Sequence, residues 1–227
     1  MARFARIDVI NTMYEIGLVP VFYNKDLEIS KQIVHACVEG GAKVVEFANR
    51  GDRAFFVFSH LIDYFAESRP EAILGIGSVL EPGTASLYIN RGANFVVGPI
   101  LNSEVADLCN RRKILYSPGC GSVTEISSAE ALGVEIVKVF PGGSVGGPAF
   151  VKAILGPMPW ARIMPTGGVS PTKESIQEWI EAGAACLAMG SKLISKDLVN
   201  RGDWHGLAEK VRECIALIKE ARGLVTF

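Results

Sequence analysis

The feature that most constrains the fold is the alternation of short apolar runs with longer amphipathic stretches along the chain. The runs are rich in Val, Ile and Phe, which favour buried strands. Eight of them can be placed in order: LVPVFY, KVVEFAN, AILGIG, NFVVG, ILYSP, EIVKVF, RIMPTG and CLAMG. Strands that alternate with helices are typical of βα units. Eight such units in 227 residues predict an α/β fold, a single (β/α)8 TIM barrel over residues 1–227 with an extra N-terminal helix.

The predicted helices lie between these runs. They begin near Asp26, Gly51, Glu81, Asn102, Ser122, Gly147 and Ser170, and a closing helix runs from about Leu207 to Arg222. Several helices should end on a left-handed glycine before the next strand. These glycines are Gly41, Gly92, Gly133 and Gly183. No linker rich in Pro, Gly or Ser interrupts the rhythm, which favours a closed barrel over its alternative, a doubly wound open sheet.

The charge balance argues against a nucleic-acid or membrane partner. Lys and Arg number 23 against 24 Asp and Glu, without a run of like charges. The apolar stretches fall far short of the roughly 20 residues that cross a membrane.

The 5 cysteines form no C-x-x-C pair, which indicates reduced, structural thiols. The histidines, His35, His60 and His205, are scattered, so we predict neither a metal nor a cofactor. We expect a cytoplasmic protein with a small-molecule partner.

The strand EIVKVF carries Lys138 where an apolar residue is expected. Strands of a parallel barrel are covered on both faces, so this amine points into the barrel or lies beneath a helix. Burial disfavours the ammonium form and should lower the pKa of Lys138 toward the range of a nucleophilic amine. The alternative is a structural lysine that reaches a barrel end or pairs with a carboxylate.

Glu46 is a second charged residue inside an apolar strand, KVVEFAN. Two lone charges in two barrel strands indicate one site, where a carboxylate beside the amine can carry protons. Arg50 follows where that strand should end, on the barrel face that holds active sites, and a guanidinium suits a substrate carboxylate. A solvated loop arginine is the alternative for Arg50, and it is the favoured interpretation of Arg53.

Glycine turns follow the last two predicted strands. They are Gly167 and Gly168 in RIMPTGGVSP, and Gly190 with Ser191 in CLAMGSKL. Ser170 and Pro171 are expected to open the helix after the first turn. Backbone N–H groups at such places bind anions, and paired loops after strands seven and eight of a barrel recur as phosphate sites. In FPGGSVGGP, after Lys138, we favour a mobile loop at the mouth of the site over a phosphate cradle.

With these residues identified, the chain resembles the 2-keto-3-deoxy-6-phosphogluconate (KDPG) / 4-hydroxy-2-oxoglutarate (KHG) aldolase family. The resemblance runs over nearly the whole chain. It is carried by VPVF, VVEFANR, GIGSVL, FVVGP, SPG, VKVFPGG, GGPAFVKAILGP, PTGGV and MGS, in the family's order and spacing. VKVFP together with PTGGV is a specific combination.

The resemblance implies a class I aldolase that needs no cofactor and forms a homotrimer. It implies that Lys138 forms a Schiff base with a 2-oxo acid and that Glu46 is the general acid/base. The implied contacts of the substrate fall into three sets. Arg50, Ser78 and Thr166 bind the carboxylate, Gly167, Gly168, Gly190 and Ser191 form the phosphate pocket, and Pro99 and Phe140 line the pyruvyl group.

Departures from the family pattern bear on substrate choice. Ser78 stands where the family usually has a threonine, which keeps the hydroxyl and loses a methyl. Gly51 replaces the usual threonine after the arginine, and GPI, with Gly98 and Ile100, replaces a serine-proline-glycine turn. We expect these changes to loosen or reshape the mouth of the site. The sequence therefore leaves the aldehyde product open.

The predicted reaction is attack of Lys138 on the C2 carbonyl, followed by C3–C4 cleavage as Glu46 removes the C4 hydroxyl proton, and release of pyruvate. Two alternatives remain at this point. One is another phosphate-binding barrel enzyme, such as a sugar-phosphate epimerase or isomerase. The other is a non-catalytic scaffolding barrel in which the charges form a structural network.

Overall fold

The computed structural model describes residues 2–223, so Met1 and residues 224–227 of the predicted domain lie outside the described residues. The strands within this range are β1 Leu18–Phe22, β2 Val44–Ala48, β3 Ile73–Gly77, β4 Phe95–Val97, β5 Leu115–Ser117, β6 Gly119–Cys120, β7 Val137–Val139, β8 Ile163–Pro165 and β9 Leu187–Met189. The helices are α1 Arg6–Ile16, α2 Leu27–Glu39, α3 Ala54–Ser68, α4 Pro82–Arg91, α5 Ser103–Arg112, α6 Val123–Ala131, α7 Gly147–Leu155, α8 Lys173–Glu181, α9 Lys196–Arg201 and α10 Trp204–Gly223.

All strand pairs are parallel, and the strands form a curled sheet in an α/β fold. A six-stranded sheet has the order β5-β4-β3-β2-β1-β9, and a three-stranded sheet has the order β6-β7-β8. Each of the eight predicted runs contains one strand. The short β6 was not predicted. It is separate from β5 because Pro118, which lies between them, lacks the N–H group that a strand ladder requires.

Polar caps explain where the helices begin. The predicted starts at Asp26, Glu81, Asn102 and Ser122 are confirmed, since each of these side chains accepts a hydrogen bond from a backbone N–H of the first turn. Ser170 and Pro171 do not open α8. Its cap is Thr172, whose hydroxyl accepts from Ser175 N, and the helix begins at Lys173.

Two helix predictions near the chain ends also need adjustment. The extra N-terminal helix is present as α1. The closing helix begins at Trp204 rather than Leu207, and the sequence did not predict α9, a helix of 6 residues capped by Ser195. The glycines predicted to end helices all have left-handed backbone: Gly41 (φ 101°), Gly92 (109°), Gly133 (78°) and Gly183 (96°).

Apolar side chains lie on both faces of the strands. Inward-facing residues form an inner core that Val9, Ile10 and Met13 of α1 cover at the amino-terminal end of the strands. Outward-facing residues such as Val45, together with the helices, form an outer core. All five cysteines are buried and unpaired, as predicted. Within residues 2–223, no helix has the length and apolar character needed to cross a membrane.

Candidate active site

Lys138 lies on β7 with its side chain directed inward, above Ile136 of the inner core. It is 5% exposed, so it does not reach solvent as a snorkelling lysine would. Burial lowers the pKa of Lys138, nearby Arg50 lowers it further, and the Glu46 carboxylate opposes both effects. Among the described residues the amine forms no ion pair, which argues against a purely structural salt bridge. The arrangement can supply a neutral amine to a carbonyl.

Glu46 lies on β2 and faces the same interior, above Val44. It is 2% exposed, and burial raises its pKa against the opposing influence of Lys138 and Arg50. Its Oε2 atom has no hydrogen-bond partner among residues 2–223. Buried polar atoms are almost always paired, so an unpaired carboxylate oxygen beside a buried amine indicates a place for a ligand or a transferred proton.

Arg50 and Ser78 meet at the mouth of this interior. Arg50 follows β2 by two residues, and Ser78 directly follows β3. Arg50 Nε donates to Ser78 Oγ at 3.4 Å, and Ser78 adopts a left-handed φ of 60°, which is uncommon outside glycine. This hydrogen bond holds the Arg50 guanidinium where β2 and β3 end, and its charge lowers the pKa of both Glu46 and Lys138. A carboxylate can be received there.

Thr166 and the first glycine turn follow β8 on the same edge of the sheet. Thr166 is buried, and no residue in the described part of the chain forms a hydrogen bond with its Oγ1 atom. Gly167 (φ 80°) and Gly168 (φ 89°) need the left-handed conformation that glycine tolerates. Their turn packs against the loop after β7, where Gly142 N donates to Thr166 O and Gly143 N to Gly167 O, both at 2.9 Å.

The contacts of Gly142 and Gly143 show whether the loop FPGGSVGGP can bind a phosphate at these two residues. Their N–H groups are bound to protein carbonyls, so they are not available to an anion, which agrees with rejecting FPGGSVGGP as a phosphate cradle at these residues. The mobility of this loop stays a prediction. Phe140, just before these glycines, has its ring centroid 4.9 Å from Lys138 Nζ, and can line a pocket there. A cation over an aromatic face is stabilised, so the ring also favours a charged nitrogen at this position.

Pro99 approaches the site through the backbone. Gly119, which is in register with Lys138, has no room for a side chain because a Cβ atom would lie 2.5 Å from Pro99 C. Pro99 is thus one strand away from the amine. A Cβ atom at Gly98 would lie 2.9 Å from Ile100 O and 3.1 Å from both the Tyr116 hydroxyl and Val79 O, so little space is open beside this glycine. Its effect on the mouth stays a prediction.

Sequence reasoning missed two residues around these loops. Lys192 follows Gly190 and Ser191, and its Nζ donates to Ser170 Oγ at 2.7 Å, which joins the loops after β9 and β8. Tyr23 has its hydroxyl where a side chain at Gly51 would lie, 2.9 Å from the Cβ position. Lys192 stands directly after the glycine turn and could have been noted, but its partner depends on how the loops pack. The part of the chain that the structure describes holds no cluster of three His, Cys, Asp or Glu able to bind a metal.

Comparison with known proteins identifies the family of the chain. The family model described as KDPG and KHG aldolase matches residues 9–210. A 2-dehydro-3-deoxy-phosphogluconate aldolase from Pseudoalteromonas atlantica is 32% identical over 199 residues, which cover 88% of this chain and 90% of that protein. The KHG/KDPG aldolase of Escherichia coli K12 is 30% identical over 198 residues, 87% of this chain and 90% of that protein.

A solved structure extends the comparison to three dimensions. The KDPG aldolase from Legionella pneumophila, with pyruvate captured at low pH as a covalent carbinolamine intermediate, has a TM-score of 0.80 with this chain. The two are 26% identical, and the match covers 92% of this chain and 97% of that one.

Proposed function

Because this chain belongs to the KDPG and KHG aldolase family, we propose that it cleaves 2-dehydro-3-deoxy-6-phosphogluconate, 4-hydroxy-2-oxoglutarate or both to pyruvate and an aldehyde. The chain is an aldolase, a lyase that breaks a carbon–carbon bond. The observation that carries the substrate proposal is the pair of buried charges, Lys138 and Glu46, that face one interior. A sugar-phosphate epimerase or isomerase does not need such a lysine, and a scaffold does not need an unpaired carboxylate oxygen.

The proposed reaction runs through a Schiff base on Lys138. The neutral amine adds to the C2 carbonyl to give a carbinolamine, and loss of water gives an iminium that can accept electrons. Glu46 removes the C4 hydroxyl proton, the C3–C4 bond breaks, and its electron pair passes to the iminium to leave an enamine of pyruvate and a free aldehyde. Protonation of the enamine at C3 and hydrolysis of the iminium release pyruvate. The carbinolamine captured with pyruvate in the Legionella aldolase supports the first of these steps.

Three side chains at the carboxyl edge of the strands are proposed to hold the pyruvyl carboxylate. Arg50 offers charge, while Ser78 and Thr166 offer hydroxyl groups. The unpaired Oγ1 of buried Thr166 supports this role, because a bound carboxylate would satisfy it. Pro99 and Phe140 are proposed to line the same pocket.

The far end of the substrate is proposed to bind at Gly167, Gly168, Gly190 and Ser191. Both turns follow neighbouring strands, β8 and β9, and a hydrogen bond between Lys192 and Ser170 ties them together. A phosphate here would meet backbone N–H groups and a lysine charge. This supports a phosphorylated substrate over an unphosphorylated one.

The substrate proposal is tested by measuring pyruvate release from a panel of 2-oxo-4-hydroxy acids. KDPG, unphosphorylated 2-dehydro-3-deoxygluconate and KHG are compared at matched concentrations. We expect the highest kcat/KM for KDPG. No pyruvate from any of the three would overturn the proposal.

We further propose that the two sheets close into one (β/α)8 barrel that forms a single domain. Only Pro118 separates β5 from β6, and its carbonyl accepts from Lys138 N at 3.0 Å. On the other side, a parallel bridge joins Thr166 to Ala188, and Ala185 N donates to Ile163 O at 2.8 Å. These contacts support a continuous ring of strands, with β5 and β6 counted as one.

A homotrimer is proposed as the family resemblance implies. Large apolar side chains are exposed on the neighbouring βα units that contain β2, β3 and β4. This supports a surface that another copy of the chain covers. These side chains are Phe56 (62% exposed), Leu80 (53%), Leu87 (47%) and Ile100 (49%). Light scattering should give three times 24.4 kDa, and Phe56→Glu with Leu87→Glu should give a monomer. A wild-type monomer would contradict the proposal.

The cytoplasmic location stays a prediction from the sequence.

A further inference from the structure

Gly77, the last residue of β3, leaves a gap that the Glu46 side chain occupies. A Cβ atom at Gly77 would lie 2.6 Å from Glu46 Cδ and 2.9 Å from Cγ, and it would overlap Oε1. Real Cβ atoms do not approach other heavy atoms this closely, so any other residue here would have to displace the carboxylate. Flexible side chains can often give way, but Glu46 is 2% exposed and has little room to move.

The backbone gives no separate reason for this glycine. Gly77 is not among the glycines with positive φ, so its conformation suits any L-residue. β2 and β3 are neighbours in register, with Glu46 opposite Gly75 and Ala48 opposite Gly77. The Glu46 side chain therefore leans along the strands toward the mouth and crosses β3 at Gly77. Gly75, two residues earlier on the same face, leaves its space to the Phe95 ring instead.

Within residues 2–223, no hydrogen bond or ion pair anchors the Glu46 carboxylate. Oε2 of Glu46 has no hydrogen-bond partner, so shape rather than hydrogen bonding holds that end of the side chain. We propose that Gly77 is a positioning residue, whose missing side chain sets the Glu46 carboxylate at the height of the substrate's C4 hydroxyl. This inference rests on the proposed acid/base role of Glu46.

The test is a double-mutant cycle with Gly77→Ala and Glu46→Ala. In the wild-type background, Gly77→Ala should lower kcat by about 100-fold, the scale of a misplacement of about 1 Å, and should also lower Tm. KM should change by less than about twofold, because substrate binding is retained. In the Glu46→Ala background, the same substitution should change neither kcat nor Tm, since the atoms that it would displace are gone.

Gly75→Ala is the matched control. Its Cβ atom would meet Phe95, so its effect on Tm should be the same with and without Glu46→Ala. If Gly77→Ala alone does not fold, recovery of a cooperative transition in the double variant supports the inference. Equal losses from Gly77→Ala in both backgrounds, or a loss confined to KM, would overturn it.

The cycle separates this inference from the proposed function. A Glu46→Ala variant with wild-type kcat would overturn the acid/base role of Glu46, and the positioning role with it. Activity loss in Glu46→Ala with additive effects of Gly77→Ala would overturn only the positioning role.

Discussion

At the scale of single residues, the site depends on three charges that influence one another. Burial works against the charged form of both Lys138 and Glu46, while the two groups favour each other's charge. Arg50 lowers the pKa of both groups, which has opposite consequences for their charge. For the glutamate this favours the carboxylate, and for the lysine it favours the neutral amine. In the proposed mechanism, the same guanidinium thus prepares both the base, Glu46, and the nucleophile, Lys138.

This balance predicts opposite pH shifts for two variants. The amine must be neutral to attack, so kcat/KM of the wild type should rise as pH passes through the lowered pKa of Lys138. Glu46→Gln removes an influence that raises this pKa, and the rise should move to lower pH. Arg50→Met removes one that lowers it, and the rise should move to higher pH. The measurement is kcat/KM against pH for the residual activity, with Arg53→Met as a control that should match wild type. Shifts in the same direction would contradict the electrostatic account.

At the scale of elements, the proposed site combines two strand residues, Glu46 on β2 and Lys138 on β7, with the loops that follow β2, β3, β4, β7, β8 and β9. The opposite end of the strands is closed by α1, whose Val9, Ile10 and Met13 join the inner core. Arg222 of α10 fastens this helix, with Nη1 donating to Tyr14 O at 2.6 Å. The proposed active site therefore lies at the carboxyl-terminal end of the strands, and α1 covers their amino-terminal end. Substitutions at these two ends of the strands should have different effects.

Substitution of Met13 should affect stability without affecting chemistry. Met13→Ala leaves a cavity beneath the inner core and should lower the free energy of unfolding by about 2–5 kcal/mol. Met13→Leu keeps the volume and should cost less than about 1.5 kcal/mol. Denaturant unfolding measures both, and kcat per folded molecule should equal wild type in each. A loss of kcat in the folded Met13→Ala protein would contradict the separation of the two ends.

Substitution of Lys192 should affect only substrates with a distal phosphate. Lys192→Met removes the charge between the loops after β8 and β9, and should raise KM for KDPG about tenfold, equivalent to roughly 1.4 kcal/mol. KM for unphosphorylated 2-dehydro-3-deoxygluconate should not change, and Lys196→Met, an exposed lysine close in sequence, should leave both values as in wild type. An equal rise for both substrates would argue against a phosphate at this rim.

At the scale of the whole molecule, the fold was more predictable than the site. Strand positions follow from local apolar runs, and helix starts such as Asp26 and Asn102 follow from capping residues, so both are visible in the sequence. Lys138 and Glu46 stood out because a charge contradicts its strand. Gly77 and Lys192 could not be assigned, because their partners lie on other elements. The exact ends of elements depend on single groups: the missing N–H of Pro118 separates β5 from β6, and the hydroxyl of Thr172 caps α8.

Two buried charges should also reduce the stability of the whole molecule. Lys138→Met with Glu46→Gln removes both, and should raise the free energy of unfolding at pH 7, because neither charge then has to be desolvated. The control is Lys173→Met with Glu220→Gln, an exposed ion pair at 2.7 Å. Its removal should cost no more than about 1 kcal/mol. A destabilised Lys138/Glu46 double variant would show that the pair supports the fold rather than the chemistry.

Reductive trapping shows directly whether Lys138 forms a Schiff base. The protein is incubated with pyruvate and borohydride, digested and analysed by mass spectrometry. We predict one reduced pyruvyl group on the peptide that contains Lys138, with loss of both adduct and activity in Lys138→Met. An active enzyme that gains no adduct, or gains it on another lysine, would show that Lys138 does not form the Schiff base.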